Sequence, residues 1–318
     1  MSTFELLPER PNLHGHFSRD LPPILTVDSG DTVVYRTLDA MWSLEPRTSE
    51  IWDEWPRTVE PRDPKKDAGH CLIGPVAVRG ALPGMTLEIR FEEIVPERTG
   101  WTFAGGWDSP ENMALGTAHS GTVHLWELDR DTGFATNRQG QKVRIRPFLG
   151  VIGNAPDLPG IHDTAPPRFV GGNMDCRELV AGSRLFLPVA VAGAHFSLGD
   201  GHGVQGDGEV SGTSIEIGME RVVCTFILHP GLQLPLPRAE TPAGLLTFGF
   251  HEDLNTATFS ALNSMLDWMT ERFRMSRSEA LSLASLVVDL RITQIVNGVR
   301  GVHALLPNDA IPGLNRSS

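Results

Sequence analysis

An alternation of apolar and polar residues over short segments limits the fold of this chain more than any other feature. In residues 85–96, MTLEIRFEEIVP, the apolar Leu87, Ile89 and Phe91 alternate with charged residues, which is the pattern of a strand with one buried face. The pattern recurs in ILTVDSGDTVVYRTLDA (24–40), GTVHLWELD (121–129), QKVRIRPFLGVIG (141–153), RLFLPVAVAGAHFSL (184–198) and GTSIEIGMERVVCTFILH (212–229). The 33 glycines and 24 prolines exceed average usage and favour turns between such strands.

The last quarter of the chain has a helical pattern instead. Segment 256–273, TATFSALNSMLDWMTERF, repeats apolar residues at intervals of three and four, which predicts an amphipathic helix. These residues are Phe259, Leu262, Leu266, Met269 and Phe273. Ser276 and Glu279 form a capping-box pair ahead of a second helix over 280–290. Residues 291–307 are predicted to be a strand.

These patterns predict a mainly β protein with sandwich-like or barrel-like sheets and a C-terminal α+β portion that contains a helical hairpin. We expect residues 1–240 to form the mainly β region that carries most of the functional site. Residues 241–318 are expected to form the α+β region packed on it, so that the two are separate units or one compact fold. Residues 41–70 are rich in Trp, Pro and charge and are predicted to be an irregular insertion.

Composition and charge argue against two classes of partner. The formal net charge is −12 and the longest run of basic residues is Lys65–Lys66, so we expect no nucleic-acid partner. No run of 18 apolar residues occurs, so no membrane span is predicted, and the first residues lack the pattern of a secretory signal.

Three widely spaced cysteines are typical of a reducing compartment. The expected location is the cytoplasm.

Residues 196–212, FSLGDGHGVQGDGEVSG, place six glycines among acidic and imidazole side chains. Glycine loses more backbone entropy on folding than other residues, so such a segment needs stabilising contacts. Asp200 and His202 are two residues apart and project from the same face of an extended chain. Asp, Glu and neutral His together suit a divalent cation such as Zn²⁺. A glycine-rich surface turn whose acids face water is the alternative interpretation.

Several longer stretches are recognisable: PPILTVDSGDTVVYRTLDA, GHCLIGPVAVRGALPG, LGVIGNAPDLPG and GGNMDCRELVAGSRLFLPVAVAGAHFSLGDGHGVQGDGEVSGTSIEI. With these stretches the chain resembles the acetamidase/formamidase family from about His14 to about Pro307. The most specific part is GGN-x-D followed by GD-x-H-x-x-QGDGE. The resemblance implies a mainly β-sheet amidase that hydrolyses short amides to carboxylic acid and ammonia. It also implies a bound divalent metal, with Zn²⁺ expected and Ca²⁺ as the alternative.

Metal-assisted amide hydrolysis requires metal ligands, a general base and donors to the developing oxyanion. The predicted metal ligands are Asp175, Asp200, His202 and Asp39. Glu209 is the predicted general base, and Asn173 and Gln205 are the predicted oxyanion donors. Spacing alone does not separate ligand from base among the carboxylates. The expected partners are a small-molecule amide and a second copy of the chain in a homo-oligomer such as a dimer.

Other functions stay open from the sequence. Cys176 offers a thiolate mechanism, although a buried cysteine that packs as a small hydrophobe accounts for it better. A carbamoyl, ureido or larger amide is the alternative substrate, and a non-catalytic, metal-dependent β protein that binds a small ligand is the alternative class. In one interpretation, a pocket is lined by Trp42, Trp52 and Trp55. In the favoured interpretation, these side chains only pack in the core or in loops. His70 is a further candidate for the site.

Overall fold

The structure is a computed structural model that describes residues 1–312, and strands dominate its regular secondary structure. Numbered along the chain, the strands are β1 (Thr3–Leu6), β2 (Leu13–His14), β3 (Leu25–Val27), β4 (Thr32–Tyr35), β5 (Leu72–Val78), β6 (Thr86–Pro96), β7 (Thr99–Ala104), β8 (Thr122–Asp129), β9 (Phe134–Asn137), β10 (Lys142–Arg144), β11 (Phe148–Gly153), β12 (Gly171–Asn173), β13 (Arg184–Pro188), β14 (Phe196–His202), β15 (Met219–His229), β16 (Arg238–Glu240), β17 (Gly244–His251), β18 (Asp289–Gln294) and β19 (Arg300–Pro307). The helices are α1 (Pro110–Leu115), α2 (Leu254–Phe273) and α3 (Arg277–Val287), and Arg10–Asn12 form a 3₁₀ turn.

Within residues 1–312 the strands form three sheets. The nine-stranded sheet has the order β1-β4-β15-β6-β13-β16-β17-β19-β18. The six-stranded sheet has the order β12-β11-β14-β5-β2, with β3 also paired to β5, and the four-stranded sheet has the order β10-β9-β8-β7. Because β16 pairs with both β13 and β17, the nine-stranded sheet continues across residue 240. The predicted mainly β fold with a C-terminal helical portion is confirmed.

One apolar core joins the nine-stranded and six-stranded sheets. The rings of Phe196 in β14 and Phe226 in β15 contact each other at 5.1 Å between centroids. The core also contains the alternating residues Leu87, Ile89 and Phe91 of β6, all at most 1% exposed. Each such side chain contributes about 1.5–3 kcal/mol by its burial. The alternation seen in the sequence therefore identifies the face of β6 that holds the two sheets together.

The C-terminal helices pack on the β17–β19 end of the nine-stranded sheet. The predicted capping box is present, since Ser276 accepts from the Glu279 amide and Glu279 accepts from the Ser276 amide. The predicted apolar face of α2 is partly wrong, because Phe259 is 70% exposed whereas Ala257 and Ala261 are fully buried. A Cβ at Gly249 in β17 would collide with the Ala257 carbonyl oxygen. The helix therefore approaches the sheet closely on its alanine face.

The segment between β4 and β5 has little regular structure. Residues 36–71 are all described, and they form no helix and no strand beyond an isolated bridge between Ser43 and Thr58. No helix among the described residues has the length and apolar character needed to span a membrane.

A buried ion-pair network supports the middle of the nine-stranded sheet. The Glu88 side chain is fully buried and accepts hydrogen bonds from Arg90 Nε (2.7 Å), Arg184 Nε (2.7 Å) and His229 Nε2 (2.6 Å). Burial opposes ionisation, but the two arginines and His229 outweigh it and lower the pKa of Glu88 from 4.5 to about 2. The charged form of Glu88 therefore stabilises the folded chain.

We expect Glu88→Gln to lower the free energy of unfolding by roughly 1.5–3 kcal/mol at pH 7, because the bonds to charged donors are weakened. The stabilisation by Glu88 is complete above pH 4.5 and is lost as the pH falls towards 2, since the folded-state pKa is the lower one. Urea unfolding as a function of pH measures both effects. Glu127→Gln, at an exposed position of β8, is the matched control and should change neither.

Candidate functional site

The six-stranded sheet buries Asp200 and His202 of the glycine-rich segment. Asp200 and His202 lie in β14, where they are 2% and 1% exposed, so the surface-turn interpretation is wrong for them. In the pairing of β14 with β11, Phe148 lies opposite His202 and Val151 lies opposite Gly199. This register places Gly150 opposite Asp200.

Gly150 leaves the space in which three polar side chains meet. Asp175 follows β12, and its amide donates to the Gly150 carbonyl at 3.3 Å. A Cβ at Gly150 would lie 2.6 Å from Asp175 Oδ1, 2.8 Å from His202 Cε1 and closer still to Asp200 Oδ2. A residue with a side chain would therefore push these groups apart.

Five buried side chains form the candidate site, which we call the polar cluster. Its members are Asp175, Asp200, His202, Glu209 and Glu216. The cluster consists of two groups that share His202, and within each group the possible ligand atoms lie within 4.8 Å of one another. The first group is Asp175, Asp200 and His202, and the second is His202, Glu209 and Glu216. His202 Nε2 is 3.4 Å from Asp200 Oδ1 and 3.7 Å from Glu216 Oε1. His202 thus lies between two groups of carboxylates.

Burial and the repulsion between their charges give the four carboxyl groups different pKa values. Burial raises the pKa of Asp175, and burial together with the Asp175 charge raises the pKa of Glu209 well above its ordinary value. Burial also raises the pKa of Glu216 to about 8, against the opposing effect of His202. For Asp200 the effect of burial is outweighed by the charges of His202 and His70, which lower its pKa.

His202 responds in the opposite direction to its burial. Burial alone would lower the pKa of this imidazole, but the carboxylates of Asp200 and Glu216 raise the pKa well above 6.5. Glu209 and Glu216 are therefore the carboxyl groups that hold protons most readily, and Asp200 is the one that stays charged. Such a separation of pKa values among neighbouring groups is what acid–base chemistry requires.

The backbone is strained at three members of the polar cluster. Asp175, Asp200 and Glu209 have positive φ angles of 48°, 58° and 46°, in the left-handed region that non-glycine residues rarely adopt. Each such residue costs on the order of 1–3 kcal/mol and persists where the surrounding structure enforces it. The structure around the polar cluster therefore holds three of its members in a costly backbone conformation.

The two predicted oxyanion donors, Gln205 and Asn173, lie beside the polar cluster and differ in their hydrogen bonding. Gln205 uses both ends of its amide, because Oε1 pairs with His202 Nδ1 at 2.9 Å and Nε2 donates to the Asp175 carbonyl at 2.8 Å. Gln205 thus orients the imidazole. Asn173 lines the cavity beside the cluster, and within residues 1–312 its Oδ1 has no hydrogen-bond partner.

Asp39 lies outside both groups of the polar cluster. Its Oδ1 accepts from the Ser43 amide at 2.9 Å and its Oδ2 accepts from Trp101 Nε1 at 2.9 Å. Both carboxylate oxygens are therefore engaged in holding the chain and the Trp101 indole.

Three further residues reach the site. Glu216 is placed there by isolated bridges of its backbone to Trp101 and His202, and it stands at the end of the last recognisable stretch of sequence. His70, half-buried, lines the cavity and pairs through Nδ1 with Thr164 Oγ1 at 2.7 Å. Asn297 donates from Nδ2 to Asp175 Oδ2 at 2.6 Å, and no local sequence signal predicts it.

A cavity of about 140 Å³ opens onto the polar cluster. Trp101 and Phe103 form its aromatic wall and stack at 5.4 Å between centroids. Trp55 packs on Trp101 at 5.4 Å and Trp52 packs on Phe103 at 5.0 Å, both from the irregular segment. Trp42 belongs to the apolar core. The cavity is smaller than the roughly 300–1,000 Å³ of clefts for drug-sized ligands.

The polar cluster fits a divalent cation. Four buried carboxylates around one imidazole need positive charge, either protons or a cation. Asp175 Oδ1 has no hydrogen-bond partner among the described residues, and it shares the Gly150 recess with Asp200 Oδ2. Carboxylate oxygens and an imidazole nitrogen are both ligand types that bind divalent cations in proteins. Cys176 does not offer a competing thiolate nucleophile, because it is fully buried and burial raises the pKa of its thiol far above neutral.

Comparison with known proteins identifies the family. Residues 4–161 and 160–227 match the sequence profile of the Acetamidase/Formamidase family. The chain belongs to the acetamidase/formamidase family.

Three relatives illustrate the likeness. The chain is 25% identical to a formamidase of Methylophilus methylotrophus over 249 residues, which are 63% of the chain and 60% of that protein. It is 52% identical to an acetamidase of Mycolicibacterium smegmatis over 199 residues, which are 45% of the chain and 49% of that protein. The chain thus spans about half to three fifths of these relatives. An acetamidase structure from Bacillus halodurans superposes with a TM-score of 0.82 at 28% identity, covering 98% of the chain and 99% of that structure.

Gly150→Ala should weaken the affinity for Zn²⁺ by roughly 10–100-fold, because the new Cβ displaces at least one carboxylate of the recess. Competition with a chromophoric chelator measures this affinity, and circular dichroism verifies folding. Gly206→Ala is the matched control from the glycine-rich segment, since a Cβ there meets nothing within 4 Å. Equal zinc affinity in both variants would contradict the assignment of the Gly150 recess.

Proposed function

We propose that the chain is a metal-dependent amidohydrolase that cleaves the C–N bond of a short aliphatic amide, such as formamide or acetamide, to a carboxylic acid and ammonia. The observation that carries this proposal is the polar cluster buried at the end of a small cavity with an aromatic wall. The family supports the reaction class. The size of the cavity supports a small acyl group.

Asp175, Asp200 and His202 are the residues proposed to hold a divalent cation, with Zn²⁺ favoured by the donor set. When bound, such a cation supplies Lewis acidity towards the amide carbonyl and makes a water molecule more acidic. Gln205 keeps His202 in one orientation by pairing with Nδ1, which leaves Nε2 facing the carboxylates. Glu216 is held by the Ser214 amide, which donates to Oε1 at 2.7 Å.

Glu209 is proposed as the general base and acid. It is buried and it lines the cavity. Burial and the Asp175 charge raise its pKa, and a cation held by Asp175, Asp200 and His202 would offset that charge and favour the ionised form that acts as a base. In the reaction Glu209 takes a proton from the attacking water as the water oxygen bonds to the carbonyl carbon. It then gives that proton to the leaving nitrogen as the C–N bond breaks. The products are the carboxylic acid and ammonia.

Asn173 is proposed to recognise the amide itself. Its unpartnered Oδ1 can accept an N–H of the substrate amide, and its Nδ2 can donate to the carbonyl oxygen, where negative charge develops. A carboxamide side chain has the donor and acceptor that match a substrate –CONH₂ group. This pairing supports an unsubstituted primary amide.

Glu209→Gln should lower kcat for acetamide by roughly 10²–10⁴-fold with little change in KM, because the proton carrier is lost while the cavity keeps its shape. Ammonia release from formamide, acetamide and propionamide in a coupled assay measures it. Asp207→Asn is the matched control, a half-buried carboxylate in the same loop and outside the cavity, and should keep most of the activity.

The same assay tests the whole proposal. Release of no ammonia by the zinc-loaded wild type from any amide would favour a non-catalytic binding protein or another substrate. Activity that survives exhaustive chelation but is lost on thiol alkylation would overturn the metal mechanism in favour of Cys176.

Phe103→Ala should raise kcat/KM for butyramide relative to acetamide by about 10-fold or more, because it removes part of the aromatic wall that confines the acyl group. Parallel kinetics on the two amides measure the ratio. Trp107→Phe is the matched control, since Trp107 packs on Phe103 at 5.4 Å without lining the cavity. An unchanged ratio in Phe103→Ala would show that this wall does not set substrate size.

A further inference from the structure

The turn between β18 and β19 brings the C-terminal portion of the chain to the polar cluster. Asn297 in this turn lines the cavity and donates from Nδ2 to Asp175 Oδ2 at 2.6 Å, across 122 positions of sequence. Asn297 lies beyond residue 227, where the match to the family profile ends. The site therefore includes a residue from outside the part of the chain that matches the family profile.

Gln294 shapes the turn that presents Asn297. Its fully buried side chain accepts from the amides of Val296 and Asn297 through Oε1 at 3.0 and 3.1 Å. Its Nε2 donates to the Val299 carbonyl at 2.6 Å. Three hydrogen bonds from one side chain hold the backbone on both sides of Asn297, so the position from which the Asn297 side chain reaches Asp175 is fixed.

The same turn also holds the loop that carries Glu209. The Gly208 amide donates to the Thr293 carbonyl at 3.0 Å, and the Ile295 amide donates to the Gly208 carbonyl at 3.1 Å. Gly208 directly precedes Glu209, so these bonds fix the position at which the Glu209 side chain leaves the backbone. The turn thus contacts two different parts of the polar cluster.

We propose that Asn297 is a positioning residue for Asp175, and that the β18–β19 turn completes the catalytic site. The bond to Oδ2 occupies one carboxylate oxygen and leaves Oδ1 as the oxygen that faces Asp200 and His202 in the Gly150 recess. Without this bond the carboxylate rotates and its free oxygen no longer points consistently at the recess. The inference rests on the proposed function, in which Asp175 holds a cation.

Asn297→Leu, of similar size, and Asn297→Ala both remove the donor, and Asn308→Ala serves as the matched control. Asn308 donates from Nδ2 to the Pro242 carbonyl at 3.0 Å, away from the cavity, within the same C-terminal portion. Zn²⁺ affinity is measured by chelator competition on metal-free protein, kcat and KM by ammonia release, and folding by thermal melting.

Loss of the donor should weaken Zn²⁺ affinity by roughly 10–100-fold, as for other groups that orient metal ligands, and at saturating Zn²⁺ should lower kcat more than it raises KM. Asn308→Ala should match the wild type. Wild-type zinc affinity in both Asn297 variants, or a rise in KM without loss of zinc affinity, would overturn the positioning role while the proposed function stands. A wild type that binds no Zn²⁺ overturns the metal-dependent function and this inference together. A wild type that binds Zn²⁺ tightly but hydrolyses no amide overturns the proposed reaction alone.

Discussion

The repulsion among four buried carboxylates around His202 is the constraint on which the rest of the site depends. Asp175, Asp200, Glu209 and Glu216 would each be stable in water, but together and out of water they require compensating positive charge. The fold nevertheless brings them together and adds strained backbone at three of them. These carboxyl groups therefore bind protons strongly and would bind a cation strongly, and the proposed amide hydrolysis uses both.

The sheets supply this arrangement by pairing strands that are distant in sequence. β14 brings Asp200 and His202 to the centre of the six-stranded sheet, and β11 beside it contributes Gly150, whose missing side chain makes room for them. The nine-stranded sheet backs this layer through a shared apolar core and extends to the hairpin that carries Asn297. The polar cluster thus combines two residues of a central strand with residues from the loops that surround it.

The irregular segment before β5 supports the aromatic wall of the cavity. Trp52 and Trp55 of this segment pack on Phe103 and Trp101 from outside, while Asp39 at its start holds the Trp101 indole by a hydrogen bond. The segment needs no regular secondary structure for this purpose, since aromatic side chains provide large contact areas from loops. Asp39 therefore acts on the site by holding Trp101 in place. The tryptophans of the segment support the aromatic wall, and this wall limits the size of the cavity.

Local patterns in the sequence determined the strands, the capping box at Ser276 and the pairing of Asp200 with His202, because each depends on residues a few positions apart. The tertiary structure alone decided that Asn297 joins the site and that Asp39 turns to Trp101. These contacts depend on which distant strands pair and in what register, and side-chain periodicity carries no information about the partner of a strand. The helix face was misjudged for the same reason, since the close approach of α2 to β17 selected its small residues.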